Sequence, residues 1–295
     1  KMIQDIAPKK LYNAYIAKIP SANDYAAVFS GNKILIKETD GVLRFPMLRE
    51  LAVSEDLGAF QYLFCIDQDQ YFLYRDLELL EEDCRSVSRD GSLRFEKMPE
   101  LRYQAEKECC FAAYTAYHLY RWYRDHQFCG RCGSLVRPDA KERMLFCDNC
   151  GSQIYPRIAP AVIVAVTDGD RILLTKYAGR AYTKYALIAG FTEIGETAEE
   201  TVEREVMEEV GLRVKNIRYY KTQPWGIDGN FLIGYFAQLD GDDTIRMDPG
   251  ELSVAEWVSR ASLKDMDDGC SLTREMMRIF YECRENGETG LWKNI

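Results

Sequence analysis

A chain of 295 residues with 47% apolar composition suits about two soluble globular domains. Its net charge of −9 argues against a generic nucleic-acid coat, and its longest apolar run, around 159–166, is far too short to span a bilayer. No targeting segment is visible, which reads as a cytoplasmic protein, and Lys1 ahead of Met2 reads as an expression remnant.

The first hundred residues carry short β-rich runs, Lys33–Lys37, Gln61–Ile66 and Gln70–Tyr74, separated by acidic, turn-rich stretches such as Leu77–Asp83. Residues 103–126 predict a helix, with Ala112, Ala116 and Tyr120 recurring on one face. This portion, 1–126, reads as a separate N-terminal α+β domain ending in that helix.

Next come two C-x2-C knuckles, Cys129–Cys132 and Cys147–Cys150, fourteen residues apart. Four thiolates at this spacing suit tetrahedral Zn2+ in a ribbon over 127–154, with Gly130, Gly133 and Gly151 turning the chain at each knuckle. Such a closed shell is structural. The alternative is a pair of disulfides, which cytosolic thiols do not favour. Cys65, Cys84, Cys109, Cys110, Cys270 and Cys283 read as ordinary free thiols, and His118 and His126 as non-ligands. The stretch 121–157 sets seven basic residues against four acidic ones, a local balance of +3. It is either a contact surface for RNA or a dinucleotide or a plain solubilising face.

The remainder, 155–295, mixes strands and helices. A hairpin is predicted from Ala161–Thr167 and Arg171–Tyr177 around the turn Asp168-Gly169-Asp170. Strands are expected near Val214–Lys221 and Phe231–Leu239, with a helix over Ser271–Glu285. Between them lies GFTEIGETAEETVEREVMEEVGL, residues 190–212. Thr197 and Glu200 have the form of a capping box, and Gly211 suits a helix end. On that helix Glu205, Glu208 and Glu209 fall at i, i+3 and i+4, so three like charges share one face. A divalent cation relieves that repulsion, because Mg2+ and Mn2+ prefer carboxylate oxygen. A plain solvated acidic face is the alternative. Gly190 and Gly195 suit a tight loop close to the metals, and Glu196 with Arg204 reads as a pair orienting the Glu205 end.

Gly190, Glu196, Arg204, Glu205, Val206, Glu208, Glu209, Gly211 and Leu212 match every fixed position of the pattern G-x5-E-x7-R-E-U-x-E-E-x-G-U, with U aliphatic. On these residues the chain resembles the Nudix hydrolases. The ribbon leading into Tyr155-Pro156-Arg157, Pro160-Ala161-Val162-Ile163, and then Gln223-Pro224-Trp225 after the box, resembles the NAD(H) diphosphatases of that superfamily. The resemblance is close over roughly 103–285.

The resemblance implies an α/β/α sandwich with a mixed sheet and metal-dependent hydrolysis of NADH or NAD+ to nicotinamide mononucleotide and AMP. It also implies removal of NAD caps from RNA in some members, and a homodimer. It assigns metal binding to Glu205, Glu208 and Glu209, with the Ala189 carbonyl and Glu251 completing the site. The general base is left open between Glu205 and Glu193. It assigns Phe191, Tyr155 and Trp225 to aromatic walls of the substrate site, Gln223 to substrate hydrogen bonds, and Thr273 to a position near the nucleotide. One segment departs from the pattern. Gly226-Ile227-Asp228 stands where relatives carry Pro-Phe-Pro, so a more flexible loop and a less selective site are expected. Two other readings stay open: a hydrolase of another nucleoside diphosphate such as ADP-ribose, and a zinc-ribbon nucleic-acid-binding protein whose second domain only binds ligand.

Overall fold

The architecture is taken from a computed structural model that describes residues 2–52, 56–79, 87–179, 183–263 and 269–283. It divides into two compact units. One holds residues 158–224 and 230–295 with the first two residues; the other holds 3–157 and 225–229.

In the first unit the strand Ala159–Asp168 is buried on both sides. Val162, Val164 and Val166 enter one cluster with Val202, Val206 and Val210 of the box helix. Ile163 and Ala165 enter another with Leu272, Met276, Met277 and Phe280 of the terminal helix, Leu272–Glu282. Period-two alternation on the strand and period-four spacing on each helix therefore build a helix–sheet–helix sandwich. Burial of each such valine or leucine contributes about 1.5–3 kcal/mol.

The sheet runs in the order Val214–Trp225, Asn230–Leu239, Ala159–Asp168, Arg171–Tyr177, Leu252–Ser259. Ala159–Asp168 pairs parallel with Asn230–Leu239, from Ala159 opposite Asn230 to Thr167 opposite Gln238. The predicted hairpin forms, but its two strands pair only at the tip, Thr167 with Ile172 and Asp168 with Arg171. Below the tip the partner is a short strand, Ile188–Phe191, that carries Gly190.

In the second unit, Lys33–Thr39, Phe60–Ile66 and Asp69–Tyr74 match the three β-rich runs. They lie in two four-stranded sheets whose core includes Val28, Leu35, Leu48, Tyr62 and Phe72. The long helix is Lys107–Asp125. The ribbon strands Arg137–Pro138, Leu145–Phe146 and Gln153–Ile154 form their own sheet. By contacts the ribbon falls in the same unit as the N-terminal portion. Cys84 and the last residues of the expected 271–285 helix lie outside the described residues. Among the described residues no helix is long and apolar enough to cross a membrane.

Candidate active site and zinc site

The box helix, Ala198–Val210, begins as its sequence dictates. Thr197 Oγ1 accepts from the Glu200 N–H, and the Glu200 carboxylate accepts from the Thr197 N–H at 2.7 Å. It ends at Gly211, whose φ of 68° is left-handed. Its inner face buries Val202, Val206 and Val210 together with Glu205 and Glu209. Two carboxylates are therefore carried into the sandwich while Glu208 stays largely in solvent.

Arg204 ties the carboxylates together. Its Nε donates to Glu196 at 2.5 Å, Nη1 to Glu205 at 2.7 Å and Glu208 at 3.0 Å, and Nη2 to the Phe191 carbonyl at 2.9 Å. Glu196 also accepts from the Glu193 N–H and the Thr201 hydroxyl, both at 3.0 Å. The Arg204 guanidinium holds the Glu196 carboxyl down at about 2. Glu205 moves the other way: burial raises it, and the like charges of Glu208 and Glu251 add to the rise against Arg204. The last cause also locates Glu251 beside the cluster. The two neighbouring carboxylates are thus shifted in opposite directions, Glu196 down and Glu205 up.

The reason for the first box glycine is steric. A Cβ on Gly190 would lie 1.9 Å from Cδ of Glu205, so the Glu205 carboxylate occupies the space a side chain would take. Ala189, beside it on the strand, faces Ile163 across the ladder. Phe191 is exposed at the end of that strand, and Glu193 and Ile194 are exposed on the loop after it. Thr273 is half-buried in the first turn of the terminal helix.

The Gln223 side chain is fully buried, Nε2 donates to the Cys270 carbonyl at 2.9 Å, and Oε1 accepts from the Leu272 N–H at 2.8 Å. The amide thus clamps the start of the terminal helix. The next residues, 226–229, also make defined contacts. The turn is seated on the long helix: a Cβ on Gly226 would meet the Tyr114 carbonyl oxygen at 2.1 Å, and Arg121 donates to the Ile227 carbonyl at 3.0 Å. Gly226 is there for close approach. Trp225, in the same unit, meets Tyr114 edge-on at 5.3 Å between centroids, and its Nε1 donates to Asp228 at 3.0 Å. Tyr155 is exposed, its hydroxyl donating to Glu142 at 3.0 Å.

The four ribbon cysteines are the one group among the described residues whose ligand atoms converge as a metal shell, all within 4.8 Å of one another. Cys129 Sγ lies 3.6 Å from Cys150 Sγ, and Cys132 Sγ 3.5 Å from Cys147 Sγ. Zn–S bonds of about 2.3 Å in a tetrahedron put sulfurs about 3.8 Å apart, whereas a disulfide needs about 2.05 Å. The set fits zinc and not cystine. Hydrogen bonds from Ser134 pull the Cys132 thiol down to about 5, and the Arg131 N–H lowers Cys129. His118 and His126 instead bond the carbonyls of Arg157 and Trp122, each at 2.8 Å.

With this geometry in place, residues 157–280 match the NUDIX domain family. The chain carries a NUDIX domain. Residues 124–155, ahead of it, match the NADH pyrophosphatase zinc ribbon domain. Similar proteins include an NAD-capped RNA hydrolase NudC from Enterobacter sp. (strain 638), 43% identical over 47% of this chain and 54% of the relative. Another bears the same name in Pseudomonas putida (strain GB-1), 38% identical over 54% and 57%. The chain thus spans a little over half the length of these relatives. Among solved structures, a NUDIX hydrolase from Nitrosomonas europaea is 22% identical with a TM-score of 0.46, covering 54% of this chain and 92% of that one. In the NUDIX domain here, the sequence left unseen two strands, Ile188–Phe191 and Leu252–Ser259, and the contact of Tyr235 with Glu199 at 3.1 Å. No motif signals any of the three.

Proposed function

We propose that this protein is a diphosphatase that cleaves NADH or NAD+ to nicotinamide mononucleotide and AMP, and that it also removes NAD caps from RNA. The observation that carries the reading is the Glu205 carboxylate, seated in the space left by Gly190 and flanked by Arg204, Glu208 and Glu251. The zinc ribbon ahead of it, of the NADH pyrophosphatase type, supports the choice of substrate.

Glu205, Glu208 and Glu209, with the Ala189 carbonyl and Glu251, would hold Mg2+ or Mn2+. A bound divalent cation neutralises phosphoryl charge and makes water a better nucleophile. Arg204 keeps Glu205 aimed from one side, and Glu196 keeps Arg204 in place. The general base is Glu205 or Glu193: Glu205 is buried against Gly190, and Glu193 is exposed on the loop before the box helix. Phe191, exposed at the end of the strand that precedes the box helix, offers a face for a planar base. Tyr155, Trp225 and Thr273 are proposed as further substrate contacts, and the working assembly is a homodimer. The full glutamate set weighs against a protein that only binds ligand.

The test is a panel of NADH, NAD+, ADP-ribose and a short NAD-capped RNA, with product analysis and either Mg2+ or Mn2+. Release of nicotinamide mononucleotide and AMP from NADH, with kcat/KM above that for ADP-ribose, is expected. ADP-ribose as the best substrate would replace this reading with the second one, and turnover of none of the four would overturn both.

A further inference from the structure

A cavity of about 310 Å3 opens in the unit that holds the ribbon, between the Phe60–Ile66 and Asp69–Tyr74 strands, the end of the long helix and the ribbon. That volume is at the lower end of small-molecule sites. Its aliphatic lining comes from Leu73 and Leu77 on the sheet side and from Leu135, Val136 and Leu145 of the ribbon. Its polar lining is Gln61, Arg75, His126 and Gln127.

Three features make this more than a packing gap. Arg75 makes no ion pair among the described residues, although it lines the cavity. His126 points Nδ1 at the Trp122 carbonyl, 2.8 Å away, so that nitrogen carries hydrogen and Nε2 remains for an occupant. Gln61 donates from Nε2 to the Tyr15 hydroxyl at 3.2 Å, which leaves its carbonyl oxygen as an acceptor. Gln127 spends its Nε2 on Glu78 and the Arg124 carbonyl.

The charge balance points one way. Among the described residues no carboxylate lines the cavity, and Glu78 meets its lining at Gln127, 3.4 Å away. A second cation lies close by. Arg143 is stacked over Tyr15 at 5.5 Å and bonded to carbonyl oxygens in place of a carboxylate. Burial raises the Tyr123 phenol, and Arg143 and Arg75 both act against that rise. The lining therefore combines aliphatic side chains with hydrogen-bonding groups and a guanidinium that makes no ion pair among the described residues.

We infer that this cavity is a recognition site for a nucleoside 5′-monophosphate unit: base against the aliphatic lining, base edge on His126 and Gln61, phosphate on Arg75. An isolated phosphate leaves the aliphatic lining unused, and an uncharged nucleoside leaves Arg75 unused. The unit can arrive as a free nucleotide or as one residue of an RNA strand. The inference does not rest on the diphosphatase reading.

The full chain, with leucine and valine methyl groups 13C-labelled, would be titrated with AMP, adenosine, inorganic phosphate and the dinucleotide pApA. The methyls of Leu73, Leu135, Val136 and Leu145 report this cavity alone, whatever AMP does elsewhere. Saturable shifts of these signals with AMP are expected, with adenosine and phosphate each binding at least ~10-fold more weakly, as loss of one charge-assisted contact requires. Arg75→Gln should weaken AMP by a similar factor and leave the ligand-free spectrum unchanged, since the side chain holds nothing among the described residues. Binding of pApA at least as tight as AMP identifies a strand as the source, and weaker binding a free nucleotide; both uphold the site. Absence of shifts at these methyls, phosphate binding as well as AMP, or an unaffected Arg75→Gln would overturn it.

Discussion

Gly190→Ala is the sharpest test of the candidate active site, because it adds one methyl group to a strand and touches no charge. The new Cβ would lie 1.9 Å from Glu205 Cδ and 2.0 Å from its Oε1. Ordinary contact begins near 3.4 Å. The carboxylate must therefore retreat by roughly 1.5 Å, and a displacement on the order of 1 Å at a reacting centre can cost about 100-fold in rate. Gly190 does not need a left-handed backbone, so alanine is tolerated by the strand itself. The fold should survive with a modest loss of stability, and kcat for NADH should fall about 100-fold. Steady-state kinetics with a thermal melt would measure both. A double-mutant cycle with Glu205→Gln isolates the route: the double variant should be little worse than Glu205→Gln alone, because both changes remove the same interaction. A folded Gly190→Ala enzyme with kcat near wild type would refute the placement of Glu205, and strictly additive losses would refute the claim that the glycine acts through it.

Glu209→Gln should lower kcat by roughly 100-fold or more while the chain still folds, since it removes one charge from a like-charged helix face; full activity in the purified variant contradicts the metal assignment. Cys129→Ser should release zinc and lower stability before turnover suffers, given that structural zinc contributes on the order of 10 kcal/mol in isolated zinc-finger peptides; elemental analysis of the wild type should return one zinc per chain. Gly226→Ala should unseat the 225–229 turn, because its Cβ would meet the Tyr114 carbonyl at 2.1 Å, and overpacking of this kind costs about 1–3 kcal/mol; an unchanged melting temperature would show that the turn is not docked. Arg44 holds the Glu50 carboxyl at about 2, below its ordinary 4.5. The stability it supplies is thus complete above about pH 4.5 and lost as pH falls through about 2. The gap between wild type and Glu50→Gln in urea melts should narrow over that window, and a constant gap would count against the ion pair.

The box helix was legible down to its caps because local chemistry decides both ends: a threonine oxygen for a free N–H, a glycine for a left-handed exit. The ribbon was legible because four thiolates admit few arrangements. What the sequence hid was decided by distant partners. Nothing near Gln223 in the chain shows that Cys270 and Leu272 take both ends of its amide. Gly226 looks like a free hinge until Tyr114 is seen against it. Leu252–Ser259 mixes polar and apolar residues with no clean alternation because it is an edge strand, half-buried and paired on one side only by Arg171–Tyr177. Ile188–Phe191 is too short for any periodicity, yet it carries the glycine that makes room for Glu205.

The seat of 225–229 on the long helix bears on how this protein can be cut. A fragment starting at residue 158 would contain the whole box and both helices of the sandwich. It would nonetheless carry a hairpin tip stripped of its support, with Trp225 parted from Tyr114 and the Ile227 carbonyl from Arg121. Five residues in the middle of the fragment would thus have lost the surface they fold against. Excision meant to yield a minimal enzyme has to bring with it the long helix on which these five residues fold.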